Sequence, residues 1–341
     1  MVANPIVIYA AHPKELPVPG ETLKKEDREI DLDASLEDGA VLLKLKVLSL
    51  DPYMRGRMRP AEIESYVPAF ELNKPIQNFG VGEVVKSNNS KFKEGQHLYG
   101  TFEFSHYVVV PKAQADSLRI LENKEGLPWT TWVGAAGMPG QTAWWGINKI
   151  GQPQKGETVF VSGATGPVGQ VCIGLAHARG AKVIASAGSD EKVKFLKEHL
   201  KVEVAFNYKT EDTKEVLQKY KKEHGGFQVY VDNVAGPVLE SVLDTIEKQG
   251  RLVQIGAIND YNGKPYGIKN IFQIVAKELK VEGFIILNHD INPFYDEIPK
   301  LLADGTLPPP KEHVYKGLDD GASFLDLFKG GNFGKAVISL E

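Results

Sequence analysis

From about Gly156 onward, runs rich in Val, Ile and Phe alternate with helical-pattern segments of about 12 residues, and this alternation narrows the possible folds more than any other feature. ETVFVS precedes PVGQVCIGLAHARG, AKVIASAG precedes SDEKVKFLKEHL, and EVAFNY precedes EDTKEVLQKYKKEHG. FQVYVDNV then precedes GPVLESVLDTIEKQG, RLVQIGA leads toward NIFQIVAKELK, and VEGFIIL supplies a sixth strand. Strands this apolar have no face to give to water, so helices must cover the sheet on both sides. The pattern predicts an α/β fold built on a doubly wound parallel sheet with right-handed crossovers.

The first 125 residues have a different texture. AVLLKLKVLSL (40–50), FGVGEVVKS (79–87), QHLYGTFEFSHYVVV (96–110) and SLRIL (117–121) are bounded by Gly, Pro and Asn clusters, the pattern of a small irregular β-barrel or sandwich. After Thr306 a proline run, a short helix and a closing strand, KAVISL, suggest that the chain returns to complete this first domain. A length of 341 residues suits two domains, residues 1–125 completed by 306–341 and residues 126–305, with a cleft between them. The chain carries 40 basic and 44 acidic residues with no long block of either sign, so nucleic acid and anionic membrane are poor candidate partners. The short apolar run near the N-terminus has no basic region before it, and no stretch of about 18 apolar residues occurs, so a soluble, cytoplasmic protein is expected. Cys172 is the single cysteine and the eight histidines form no close-spaced pair, so no metal site is expected.

The sharpest local signal is VFVSGATGPVGQ (159–170), where Gly163, Gly166 and Gly169 fall three apart and Ala164 occupies the position of the usual first glycine. Pro167 suits the first turn of a helix, because its missing N–H would be unpaired there anyway. Gly166 would let the backbone approach a pyrophosphate, Val168 and Gly169 sit in the first helical turn, and Gly169 would let that helix lie close to the sheet. A ligand-free tight turn is the plain alternative, but the loop's place between strand and helix at the head of the alternation favours a dinucleotide. About twenty residues on, where NAD sites place an acid for the ribose 2′-hydroxyl, stand Ala187 and Gly188. Asp190 and Glu191 come late and suit the first turn of a helix. Lys192 could reach back to a 2′-phosphate and Tyr208 could add a hydroxyl, so NADP is preferred over NAD, the alternative being that Lys192 is a solvated surface lysine.

The segments DPYMRGRM (51–58), GMPGQTAWWG (137–146), SGATGPVG (162–169), AGSDEK (187–192), FNYKT (206–210), DNVAG (232–236), GAINDYN (256–262) and GNFGK (331–335) span nearly the whole chain. Together they resemble the zinc-independent branch of the medium-chain dehydrogenase/reductases that holds leukotriene B4 dehydrogenase/prostaglandin reductases and NADP-dependent alkenal double-bond reductases. The resemblance implies a GroES-like β-barrel catalytic domain joined to a Rossmann domain, and commonly a homodimer. It implies NADP(H) on the loop Gly166, Pro167, Val168 and Gly169, with Gly188, Lys192 and Tyr208 at the 2′-phosphate. Asn233, the stretch Ile255, Gly256, Ala257, Ile258 through Tyr261, then Phe284, Ile285, Ile286 and Asn332 would line the rest of the cofactor. Tyr53 and Tyr261 would face the substrate. Ala235 departs from the pattern, since a second glycine is more usual there and a methyl group crowds that turn.

Plainer roles compete at several positions. Asn233 could cap the next helix, Tyr261 could simply pack, and Arg55 and Arg57 could be surface groups of a polar turn. Cys172 on an apolar helical face reads as core, Trp144 and Trp145 as packing where the domains meet, and His97 and His106 as β-domain structure. Without zinc, hydride transfer needs an acceptor that is already electrophilic, or a donor for the developing oxyanion. Conjugated enals and enones fit, with Tyr261 holding the enolate oxygen and Tyr53 positioning the substrate. Quinone reduction, reversible oxidation of a long-chain allylic alcohol, and cofactor binding without turnover remain rival readings. The loops 59–74 and 263–269 are expected to set substrate width.

Overall fold

The computed structural model describes residues 1–263 and 265–341, and Lys264, within the expected substrate loop 263–269, lies outside them. The chain forms two compact units, Met1–Gly134 with Glu312–Glu341, and Ala135–Lys311.

The second unit is the doubly wound sheet. Its strands are β1 (Thr158–Val161), β2 (Lys182–Ala187), β3 (Val204–Asn207), β4 (Val229–Asp232), β5 (Arg251–Gln254) and β6 (Lys280–Gly283). All are parallel, in the order β3-β2-β1-β4-β5-β6. That order places the topological switch between β1 and β4, where open α/β sheets bind ligands beyond the strand C-termini. Every residue of β1 and β4 is buried, as strands covered on both faces require. Phe160, Ile184, Phe206, Tyr230 and Leu252 form one layer with Leu217, Tyr220, Val242 and Leu243 of the crossover helices.

The helices are α1 (Pro167–Ala178), α2 (Asp190–Glu198), α3 (Thr213–His224) and α4 (Gly236–Thr245). Ser189 caps α2 by accepting from Lys192 N–H, and Asp212 caps α3 by accepting from Glu215 N–H. Gly225 ends α3 at φ 87°, a left-handed conformation that costs glycine nothing. The expected rhythm weakens after β5. NIFQIVAKELK yields a helix of 4 residues, Gln273–Ala276, with Ile271, Phe272 and Val275 exposed. The sixth strand stops at Gly283, and Ile286–Asn288 form a 3-10 turn where VEGFIIL suggested more strand.

The first unit holds a seven-stranded sheet. Val41–Ser49, Gln77–Ser87, His97–Glu103 and Arg119–Leu121 pair in sequence as antiparallel neighbours, with Tyr107–Val110 on the other side of Val41–Ser49. The tail enters the same sheet. Lys335–Ser339 pairs antiparallel with Val41–Ser49, Val337 opposite Ser49, and parallel with Glu312–Lys316. Leu43, Leu45, Leu48, Phe102, Phe104 and Ile338 lie in its core. No helix among the described residues is long and apolar enough to cross a membrane.

Candidate functional site

In a parallel sheet all strand C-termini share one edge, so the residues following β1 to β6 are neighbours by construction. The candidate cofactor residues of the second unit lie there: 163–169 after β1, Gly188 after β2, Tyr208 after β3, Asn233 after β4, Ile255–Tyr261 after β5 and Phe284–Ile286 after β6.

The loop after β1 fits a pyrophosphate. Gly163 takes φ 58° at the strand end, and a methyl group there would lie 3.4 Å from Asn233 Cβ. A methyl group at Gly169 would come within 2.6 Å of Ala164 O, so only glycine lets α1 sit this close to the loop. Gly166 is the N-cap of α1 and offers no capping side chain. Oriented N–H groups at such an end suit an anion.

The end of β2 favours a 2′-phosphate over a bare ribose hydroxyl. Asp190, the nearest acid, accepts from Asn207 Nδ2 at 2.8 Å and is thereby turned toward β3. A methyl group at Gly188 would stand 2.9 Å from the Tyr208 hydroxyl and 3.4 Å from Lys209 Cε. Tyr208 and Lys209 therefore both reach this position, with Lys192 in the first turn of α2. Lys209 escaped the motif reading. Its signal is the register Ala187 opposite Asn207, which brings the residues after β3 beside Gly188.

At the switch, Asn233 donates Nδ2 to Ser162 O at 2.8 Å and its backbone N–H to Ser162 Oγ at 3.1 Å, pinning β4 to β1. Asn233 does not cap the next helix, whose N-cap is Ala235 with no side-chain cap, and Asp232 Oδ1 instead closes the preceding turn by accepting from Val234 N–H and Ala235 N–H at 2.9 and 2.7 Å. Burial raises the Asp232 pKa, and these backbone bonds oppose the rise. Ile255 and Gly256 donate backbone N–H groups to Asp232 O, and Ile258 N–H reaches Asn233 O at 3.4 Å. Tyr261 follows the 3-10 turn Ile258–Asp260, its hydroxyl 3.6 Å from where a Gly256 Cβ would stand. Burial raises its pKa, and the nearby Ala257 backbone opposes the rise.

The other candidates behave variously. Tyr53 and Asn332 lie in the first unit, Tyr53 half-buried before the short helix Met54–Arg57 and Asn332 donating Nδ2 to Gly334 O at 2.9 Å. Arg57 is buried, donating to Pro68 O and Gln77 O with its guanidinium over the Phe70 ring at 4.1 Å, and Arg55 donates to Glu15 O. Trp144 donates to Glu297 and Trp145 stacks on His289 at 4.0 Å, both within the second unit. His97 stacks on Trp129 at 4.1 Å. Cys172 is fully buried in α1, which pushes its thiol pKa far up. Among the described residues no three His, Cys, Asp or Glu side chains are grouped to hold a metal ion.

Two family models match: zinc-binding dehydrogenase over residues 167–303 and N-terminal domain of oxidoreductase over residues 8–118. An NADP-dependent oxidoreductase, RED1, of Cochliobolus heterostrophus is 37% identical, the match covering 100% of this chain and 98% of that protein. An NADP-dependent 2-alkenal reductase of Nicotiana tabacum is 36% identical over 93% of this chain and 92% of its own length. Among solved structures, CurA from Vibrio vulnificus in complex with NADPH is 30% identical, with a TM-score of 0.87 and 99% of both chains covered. On full-length identity, matching domain order and fold, the chain belongs to the medium-chain dehydrogenase/reductase family, in its zinc-independent alkenal-reductase branch.

Proposed function

We propose that this NADP-dependent oxidoreductase reduces the carbon–carbon double bond of α,β-unsaturated aldehydes and ketones. The observation that carries the reading is the place of the Tyr261 phenol, on the loop after β5 at the C-terminal edge of the sheet, its hydroxyl 3.6 Å from where a Gly256 Cβ would stand. NADPH, when bound, supplies a hydride to the β-carbon of the substrate. Hydride arrival there shifts negative charge onto the carbonyl oxygen, and Tyr261 stabilises that enolate by donating its hydroxyl proton in a hydrogen bond. Protonation at the α-carbon, from a tyrosine or water, completes the addition of one hydride and one proton. Burial raises the Tyr261 pKa, which favours the protonated phenol. The uncapped start of α1 takes the pyrophosphate, and Lys192, Tyr208 and Lys209 take the 2′-phosphate. The names of the tobacco and Cochliobolus relatives support the cofactor and, for the former, the substrate class.

The test is cofactor consumption with NADPH and with NADH over a 2-alkenal, an enone and a small quinone, together with NADP⁺ reduction by a long-chain allylic alcohol. NADPH consumption with the alkenal or enone is expected. Turnover confined to the quinone or the alcohol moves the reading to that chemistry, and tight NADPH binding with no turnover at all makes the chain a binder. Tyr261→Phe is expected to lower kcat on the alkenal by roughly a hundredfold, the cost of one oxyanion donor. Full turnover in that variant would remove Tyr261 from the reaction.

The chain is also proposed to act as a homodimer through the β6 edge of the second unit, where Ile271, Phe272, Val275, Val281 and Leu287 are all exposed.

A further inference from the structure

The Tyr53 hydroxyl ends a buried polar chain. The Asp51 carboxylate accepts from Lys335 Nζ on Oδ1 at 2.9 Å, and from the Ser49 hydroxyl and Asn78 Nδ2 on Oδ2, the latter at 2.9 Å. Lys335 Nζ also donates to Leu50 O at 2.7 Å, and Asn78 Nδ2 donates to Ser49 O at 2.9 Å. Lys335, Asp51 and Asn78 are all buried. A carboxylate and a backbone carbonyl can only accept, so the nitrogen of the Asn78 amide must face them and its Oδ1 must face Tyr53. An amide oxygen cannot donate. The 2.6 Å contact between Tyr53 Oη and Asn78 Oδ1 therefore uses the one proton the phenol has. The nearby Arg57 charge opposes the rise that burial gives the Tyr53 pKa.

We propose that Asn78, locked by Asp51 and Lys335, is a positioning residue that holds the Tyr53 proton inside the first unit, so that Tyr53 offers substrate a ring and an acceptor oxygen and no proton. This rests on the enal and enone reading above, and it leaves donation to the enolate to Tyr261. Tyr53 gives its proton to a side chain of its own unit. Burial and the Asp51 charge both raise the Tyr53 pKa, which further disfavours proton release.

Two arms test this. In the first, the whole protein is labelled with carbon-13 at tyrosine Cζ, and the deuterium isotope shift of that carbon reports hydroxyl exchange without any turnover. The Tyr53 hydroxyl is expected to exchange about a hundredfold more slowly than that of exposed Tyr208, and Asn78→Leu to abolish the difference. Fast Tyr53 exchange in the unsubstituted protein overturns the proposal. The second arm is steady-state kinetics on a 2-alkenal. Tyr53→Phe is expected to split the parameters, KM rising about tenfold and kcat moving less than about threefold, whereas Tyr261→Phe lowers kcat by about a hundredfold. The KM rise of Asn78→Leu should vanish in a Tyr53→Phe background. A hundredfold loss of kcat in Tyr53→Phe at unchanged Tm, or an Asn78 effect that persists without the Tyr53 hydroxyl, also overturns it. If the unsubstituted protein reduces no enal or enone, the substrate reading fails and the exchange arm alone decides the placement of the proton.

Discussion

At the scale of single residues, Ala235 carries the clearest local cost. It sits at φ 60°, ψ −149°, a region that only glycine occupies without strain, at the start of α4. Ala235→Gly should relieve about 1–3 kcal/mol of backbone strain and return roughly 0.5–1 kcal/mol of chain entropy to the unfolded state, a net gain of about 1 kcal/mol. Thermal unfolding should show Tm rising by a few degrees, and an unchanged or lower Tm would mean that the turn is not strained. The residues proposed for the 2′-phosphate give a second prediction. Removing one charge-assisted bond to phosphate costs about 1.5–3 kcal/mol, so Lys192→Ala and Lys209→Ala should each raise KM for NADPH about ten- to a hundredfold and leave NADH unaffected. Equal effects on both cofactors would show that these lysines act on something other than the phosphate. Lys192 and Tyr208 could be named as candidates from the sequence because they occupy motif positions along the chain. Lys209, Asn78 and Asp51 could not, because Lys209 reaches Gly188 only through the register of two strands, and the Asp51 carboxylate meets Asn78 and Lys335 only once distant strands pair.

At the scale of elements, β1 to β5 and α1 to α4 were readable because their signals are local: apolar strands, capping Ser189 and Asp212, and terminating Gly225. The reading failed around Gln273–Ala276, and the reason is physical. Apolar periodicity reports that a face avoids water without saying what covers it, and here Phe272 is 72% and Val275 67% exposed. Every residue of neighbouring β6, an edge strand, is exposed as well. If a second copy covers this face, light scattering should give twice the chain mass, and Phe272→Lys combined with Val275→Glu should give one chain mass with NADPH binding retained. A single-chain mass for the unsubstituted protein would end the homodimer proposal.

At the scale of the whole molecule, the course of the chain was legible in outline, since the tail after Thr306 loses the strand–helix rhythm and ends in KAVISL. The depth to which that tail is anchored was not, because the sequence shows Lys335 only as a lysine in a strand. The structure buries it against Asp51, 284 positions earlier in the chain. Removing either partner would strand a buried charge at a cost of about 3–5 kcal/mol. This anchor has a consequence for biosynthesis. A ribosome delivers Val41–Ser49 long before Lys335–Ser339, one of the strands that pair with it, so the earlier strand cannot be finished until residues 335–339 are made. Residues 135–311 form one compact unit continuous in sequence. Ribosome-held chains stalled just beyond 311 should therefore resist protease across 135–311 and be cut freely before 134, whereas equal resistance would mean that the early strands close without their last neighbour. Until Lys335 arrives, the carboxylate of Asp51 lacks the cation that it meets in the finished fold.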